Sequence, residues 1–470
     1  MDANPPQSAS VGVAVAVLAA GHGTRFVSSY PKHLHPVAGV PLVERVIRAG
    51  LAIQPDRLVA VVSPGLKDLP SRLDMDGQFG TVVQEKPEGT AAAVSCALDA
   101  IGECEWLVSL LGDNPLLTGT MIVNLVQKAN ATNARVVVLT AETERAKYGR
   151  IDRIDGNIVR IIEHKNDHPL DPTWHKGIEE INSGIMVLDA AWAREALTQV
   201  KRNADTNEFL LTDLIELAVS QHDGEGWWPV QSVREDANVA IGVNDRIQQA
   251  EAAAIEFAAK RKELMVDMGV SFVGPETSFV EKAVQIGMDT TILPGCYITG
   301  KTVIGAGCVI GPHAVIHNGT IGDGVHIVSS TVTDSSIASG SSVGPYARIR
   351  QGAEIGPDVH LGNFVEVKNS QLGEGTKAGH LAYLGDATVG ERVNIGAGVI
   401  TANYDGVNKH RTQIGDDAFI GSDSVLVAPR TVGDRGRTAA GSVVTHDVAA
   451  DTLVVGVPAR PRPSGGSTSS

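Results

Sequence analysis

Leu18 to Arg25 reads L-A-A-G-H-G-T-R, and Pro31-Lys32 follows a few residues later. Glycines in such a turn let the backbone come close to a triphosphate. Arg25 and Lys32 can then neutralise charge on transferred and leaving phosphates. The turn continues as Thr24-Arg25-Phe26, without the third glycine of a dinucleotide fingerprint, so a nicotinamide or flavin site is disfavoured. Asp113 ends the apolar run LVSLLGD and offers the hard carboxylate oxygen that Mg²⁺ takes, with phosphates and water filling the other positions. In-line attack on a phosphate asks the protein mainly for positioning and charge stabilisation. A different chemistry is available in the C-terminal half. His380, in KAGHLAYLGD, is a candidate general base, because imidazole titrates where an attacking amine must lose a proton.

These residues need elements to hold them. From Val11 to about Asp245, apolar runs (VAVAVLAA, LVAVVS, EWLVSLLGD, ARVVVLTAE) alternate with helix-like stretches such as PLVERVIRAGLAI. That pattern predicts an α/β domain with a mostly parallel, Rossmann-like sheet, whose ligands bind at the carboxyl ends of the strands. Val11 to Ala20 is too short to span a bilayer and has no Lys or Arg before it, so it reads as a buried first strand. Asp245 to Met268 lacks Gly and Pro and is rich in Ala, Glu, Lys and Gln, as a connecting helix would be.

Beyond it the period changes. Ile286, Ile292, Ile298, Ile304, Ile310 and Ile316 recur every six residues. So do Val343, Ile349, Ile355, Leu361 and Val367, and then Ile414, Ile420, Leu426 and Val432. A hexapeptide repeat winds a parallel β-helix, with one aliphatic side chain per face pointing into a narrow interior. Between Ile395 and Ile414 the register breaks, and ITANYDGVNKHRTQ is expected to loop out. PRPSGGSTSS reads as a disordered tail. The expected boundaries are 10–245 for the first domain, 246–268 for the linker helix, 269–460 for the β-helix and 461–470 for the tail.

Composition limits the partners. A net charge of -15 without a long basic run argues against nucleic acid or an anionic membrane. Cys96, Cys104, Cys296 and Cys308 form no C-x-x-C pair and fit free thiols in a reducing cytoplasm. Aromatics at 4% and 51 glycines suit tight repetitive β structure in the second half.

The L-A-A-G-x-G-T-R and P-K pieces resemble the signature of sugar-phosphate nucleotidyltransferases. Further pieces follow in that order: Gln84 with Gly89-Thr90, Gly112-Asp113, Tyr148-Gly149-Arg150, Glu163, Asn182-Ser183-Gly184 and Gly242-Val243-Asn244. With the hexapeptide half, the chain from about 11 to 460 is similar to the bifunctional N-acetylglucosamine-1-phosphate uridyltransferase/glucosamine-1-phosphate N-acetyltransferase family. The resemblance implies a left-handed β-helix, a homotrimer, and two activities. Glucosamine 1-phosphate would be acetylated from acetyl-CoA, and N-acetylglucosamine 1-phosphate would then react with UTP to give UDP-N-acetylglucosamine and pyrophosphate. It implies Mg²⁺ on Asp113 and Asn244. Nucleotide contacts would come from Leu18, Ala19, Ala20, Gly21, Lys32, Gln84, Gly89 and Thr90, and sugar and phosphate contacts from Gly149, Glu163, Asn182 and Asn244. In the second half it implies glucosamine 1-phosphate on Arg350, Lys368, Tyr383, Asn394 and Lys409. Acetyl-CoA would lie on Ala397, Asn403, Tyr404, Ser422, Ala440 and Arg460. Glu366, on the same strand face as Lys368, is a candidate for orienting the histidine or the amine. An alternative keeps the nucleotidyltransferase alone, with the β-helix as an oligomerisation scaffold. Departures from the family pattern are Leu111 for a usual tyrosine, Gly89-Thr90-Ala91-Ala92-Ala93 for G-T-G-H-A, Phe26 for a methionine, and a drawn-out turn at Gly433-Asp434-Arg435-Gly436-Arg437.

Overall fold

Every residue of Val13–Ala19 (β1) is buried, and alternate side chains enter two separate cores. Val13, Val15 and Val17 face one, and Ala14, Ala16 and Leu18 the other, as expected for a strand covered on both faces. This computed structural model describes residues 12–21, 23–143, 148–163, 179–224 and 228–462. It divides into one compact unit running to Ala254 and another from Ile255.

The first unit is built on a nine-stranded sheet. Its strands are β1, β2 (Arg57–Val62), β3 (Gly80–Val83), β4 (Trp106–Leu111), β5 (Val136–Glu142), β6 (Arg150–Ile154), β7 (Asn157–Ile162), β8 (Glu180–Asp189) and β9 (Val230–Glu235). The order is β9-β5-β8-β4-β1-β2-β3, with the β6–β7 hairpin attached to β8. β1 pairs in parallel with β2 and β4, and β2 with β3. Helices α1 (Leu42–Leu51), α2 (Thr90–Ile101) and α3 (Gly119–Thr132) make the crossovers. β8 departs from the parallel pattern, running antiparallel between β4 and β5. Its polar Asn182-Ser183-Gly184 shifts the register before Met186, which hides the strand from a search for unbroken apolar runs. Because β1, β3 and β4 are parallel, the turns after them leave from one edge.

The helix expected at 246–268 forms as Arg246–Val266 (α4). Thereafter the chain winds through three sheets of twelve, ten and nine short strands, parallel and visited in rotation until the last two strands, Leu453–Val455 and Arg460–Pro461, which both join the twelve-stranded sheet and pair antiparallel. The fold is a left-handed parallel β-helix. The six repeat isoleucines from Ile286 to Ile316 are all buried in its interior. Between Ile316 and Val343 the coil does not stop but shortens. Ile321, Ile327, Val332 and Ile337 take the inward positions at gaps of five, six, five, five and six residues. Thr401 also points inward, and its hydroxyl is satisfied by the N–H and C=O of Gly385 at 2.8 and 2.9 Å. The predicted loop narrows to 403–411, since Ile400–Ala402 and Thr412–Ile414 are strands. At the end, Pro461 pairs with Val454, and Arg462 donates its N–H to the Leu453 carbonyl at 2.9 Å. Of the expected tail, Pro461 therefore belongs to the sheet and Arg462 is tied to it. Residues 463–470 lie outside the described residues.

The narrow interior makes a stability prediction. Ile349 is fully buried, so Ile349→Ala should cost about 2–5 kcal/mol. Val303, 40% exposed, should cost within about 0.5 kcal/mol on the same change. Urea unfolding of the β-helix, followed by circular dichroism, separates the two.

Candidate active sites

The carboxyl ends of β1, β3 and β4 open into a cleft of about 470 Å³. Leu18, Ala20, Gly21, Gln84, Gly89 and Thr90 line it, together with Arg25, Lys32 and Asp113. A second hollow of about 430 Å³ is lined by Tyr148, Gly149, Glu163 and Asn182. Arg25, Asp113 and Asn244 belong to both, and form the seam between them. Ala19 is the expected contact that lines neither: its side chain is buried in β1. His22 lies outside the described residues.

At the seam, Lys32 forms an ion pair with Asp113 and donates to Asn244 Oδ1 at 2.9 Å. Arg25 Nη2 donates to that same oxygen at 3.1 Å. Lys32 is buried, and its stem lies against Gly23, whose φ is 60° and where a Cβ would sit 2.5 Å from Lys32 Cβ. Gly89, at φ 106°, is pressed on the Phe209 carbonyl, 2.4 Å from where a Cβ would be. Both glycines are therefore steric requirements. Thr90 Oγ1 accepts from the Leu211 N–H at 2.9 Å, and Glu163 accepts from Thr212 Oγ1 at 3.0 Å. Gln84 is buried, and its Nε2 has no hydrogen-bond partner among the described residues. A buried donor left this way calls for an acceptor.

Two departures face the clefts: Leu111 lines both, and Ala93 lines the first. Phe26 does not; it is buried, stacked on His35 at 4.7 Å with the Arg246 guanidinium 4.6 Å from its ring. Sequence reasoning missed Glu208, which lines both clefts, and Asn114, which donates to the Ser183 carbonyl at 3.1 Å. Asn114 adjoins Asp113, a signal that adjacency could have supplied. For Glu208 there was none.

In the β-helix, His380 ends the first-sheet strand Lys377–His380 and is exposed. Its Nδ1 lies 2.7 Å from Asn363 Oδ1. A carbonyl oxygen only accepts, so Nδ1 is the donor in this contact, and in the neutral imidazole that leaves the lone pair on Nε2. Asn363 is one coil earlier, which the repeat alone could have identified. The two side chains line a hollow of about 330 Å³ with His360, Tyr346 and Phe364.

Arg350, Lys368 and Tyr383 lie on neighbouring strands of the second sheet, with Arg350 in register with Lys368. Lys409 reaches them from the loop, and its ammonium holds the Lys368 amine below the ordinary range. Glu366, the candidate for orienting the histidine or the amine, accepts from Arg350 Nε at 2.6 Å. Asn394 is not with this group. It is on the first sheet, in register with Lys377 and Phe419.

Three of the residues expected to bind acetyl-CoA, Ala397, Ser422 and Ala440, follow a simple rule of register. Leu361, Ala378, Ile395, Ile420 and Thr438 stack in successive coils. Two residues beyond them come Asn363, His380, Ala397, Ser422 and Ala440, a column along the corner between first and second sheets. At one strand spacing per coil, Ala440 is about 14 Å from His380. Arg460 continues past the last coil of the same sheet, paired with Val455. Asn403 is buried and Tyr404 exposed at the base of the loop, where Tyr404 bridges to Lys409. The drawn-out turn at Gly433–Arg437 joins the third sheet to the first, a different corner. Arg435 there pairs with Asp451 at 2.6 Å.

One group of the first site titrates unusually. Burial pushes the His33 imidazole down to about 4 from 6.5, Asp113 opposing and Lys32 assisting. Between these values the unfolded chain binds a proton that the folded chain refuses. The stability gained by keeping His33 neutral is thus whole above 6.5 and is lost as pH falls towards 4, with a slope up to ~1.4 kcal/mol per pH unit. Urea midpoints of the first unit at several pH values should show this slope, and His33→Asn should flatten it.

Comparison with known proteins agrees with both halves. Residues 15–211 match the MobA-like NTP transferase domain, and 280–371 the GMPPB C-terminal domain. The bifunctional protein GlmU of Exiguobacterium sibiricum is 40% identical over 93% of this chain and 96% of its own length. That of a Geobacillus species is 41% identical over 93% and 94%, and that of Trichlorobacter lovleyi 39% over 94% and 95%. Likeness of this extent, running through both units, places the chain in the family of bifunctional GlmU proteins.

Proposed function

We propose that this enzyme makes UDP-N-acetylglucosamine in two steps: acetylation of glucosamine 1-phosphate, then uridylyl transfer to the product. The observation that carries the reading is that each unit has its own site with its own phosphate-seeking cations. In the first unit, UTP would lie in the cleft containing Gln84, whose unpartnered donor suits a base carbonyl. The sugar phosphate would lie in the hollow of Glu163 and Asn182. Its phosphate oxygen attacks the α-phosphate at the seam, and pyrophosphate leaves while Arg25 and Lys32 neutralise the charge. Asp113 and Asn244 already converge on one cation, the Lys32 ammonium, which supports their holding Mg²⁺. Bound there, Mg²⁺ would add positive charge for the phosphates.

In the second unit, His380 Nε2 takes a proton from the sugar amine as it attacks the thioester carbonyl. The imidazolium then returns a proton to the departing thiolate of coenzyme A. Lys368, Lys409 and Arg350 bind the sugar phosphate, and Tyr383 the sugar. The pantetheine arm runs down the column through Ala397, Ser422 and Ala440, beside Asn403 and Tyr404, towards Arg460. Asn394 lies on another sheet, which supports a homotrimer in which a neighbouring copy brings it to the site. Free thiols and small soluble substrates favour the cytoplasm, where the product would supply cell-wall polysaccharide, peptidoglycan included. Among the described residues no helix is long and apolar enough to cross a membrane.

Mass spectrometry with glucosamine 1-phosphate, acetyl-CoA, UTP and Mg²⁺ tests the proposal. Wild type should form UDP-N-acetylglucosamine; His380→Ala should do so only when given N-acetylglucosamine 1-phosphate. Acceptance of a preformed sugar phosphate alone by wild type would leave the β-helix a scaffold. Since Lys32 holds the oxygens assigned to the metal, Lys32→Met should bind Mn²⁺ more tightly than wild type without nucleotide, by electron paramagnetic resonance. Its uridylyl transfer should fall about 10²-fold.

A further inference from the structure

The looped segment leaves and re-enters the β-helix across one residue. Asp386, in the turn after Tyr383–Gly385, is 7% exposed. Its carboxylate accepts from Asn403 Nδ2, where the loop begins, and from Asn369 Nδ2 one coil earlier. Its carbonyl accepts from the Thr412 N–H at 3.0 Å, where the loop ends, and its own N–H donates to the Lys368 carbonyl at 3.0 Å. Arg411 closes the neck from the other side, donating to Thr388 Oγ1 at 2.8 Å and the Asn369 carbonyl at 3.1 Å.

The same residue is tied to both lysines through the backbone: its N–H is bonded to the Lys368 carbonyl, and the loop whose neck it closes carries Lys409, bridged there to Tyr404. Lys368 and Lys409 press on one another, and both act on Asp386. Burial pushes the Asp386 carboxyl up, yet the Asn369 and Asn403 hydrogen bonds and the two lysines together hold it below its ordinary range. Ammonium groups that act on one another repel, and a nearby anion offsets that repulsion. Asn403, itself buried, would also lose its acceptor if the carboxylate were removed, and a buried donor without an acceptor is costly.

We propose that Asp386 is a positioning residue for acetyl transfer: one carboxylate fixes Asn403 and Tyr404 on the coenzyme side and the Lys368–Lys409 pair on the sugar-phosphate side. The inference rests on the acetyltransferase function proposed above. It makes the two substrates depend on a single group that touches neither of them.

Steady-state kinetics of full-length Asp386→Asn provide the test. KM should rise about tenfold for both glucosamine 1-phosphate and acetyl-CoA, with kcat within about threefold of wild type. Uridylyl transfer from UTP to N-acetylglucosamine 1-phosphate should be unchanged. A loss of folded β-helix would lower kcat and leave both KM values alone. Should Asp386→Asn fail to fold, Asn369→Ala, which frees the carboxylate on one side only, should give the same split at about threefold. A folded variant with both KM values unchanged, or with only one raised, overturns the proposal. Absence of acetylation by wild type would instead overturn the function on which it rests.

Discussion

When two parallel strands pair, whatever follows each strand is delivered to the same edge. Both units depend on that constraint. In the first, it collects the turns after β1, β3 and β4, so that Arg25, Gln84 and Asp113 line one cleft although far apart in sequence. In the second, it acts coil after coil. Each inward side chain stands on the one below, and outward residues are stacked with equal fidelity. A slip of one residue in either unit would turn a functional side chain into the core.

The same constraint gathers like charges, which have to be reconciled with an acidic protein of net charge -15. Three of the cations facing the sites are held by internal oxygens: Lys32 by Asp113 and Asn244, Arg25 by Asn244, and Arg350 by Glu366. The cations are therefore posed before substrate arrives, and little ordering of long side chains remains to be done on binding.

What was legible in the sequence were features with a short period or a contiguous motif. The six-residue spacing of aliphatic residues gave the β-helix, and the L-A-A-G-x-G-T-R turn gave the phosphate site. Where the coil shortens to five residues at Ile321 and Val332, or turns a hydroxyl inward at Thr401, the period vanishes although the physics is the same. β8 was hidden because its polar turn sits inside the strand. Asn363 and Asp386 escaped notice because their importance lies in partners a coil or more away. Asn394 is the converse case: motif order groups it with Lys368, whereas within one chain it stands on a different sheet.

The column from His380 to Ala440 has a further consequence. Its length can change only by whole coils, because part of a coil would bring the wrong face to the corner. The β-helix is thus a ruler graduated in steps of about 4.8 Å. An extended ligand arm laid along it is gauged in those steps. Residues at the far end meet the ligand's tail only if the number of coils is right, however well each contact is made. Side-chain replacement adjusts the strength of such a site, whereas insertion or deletion of a coil adjusts its reach.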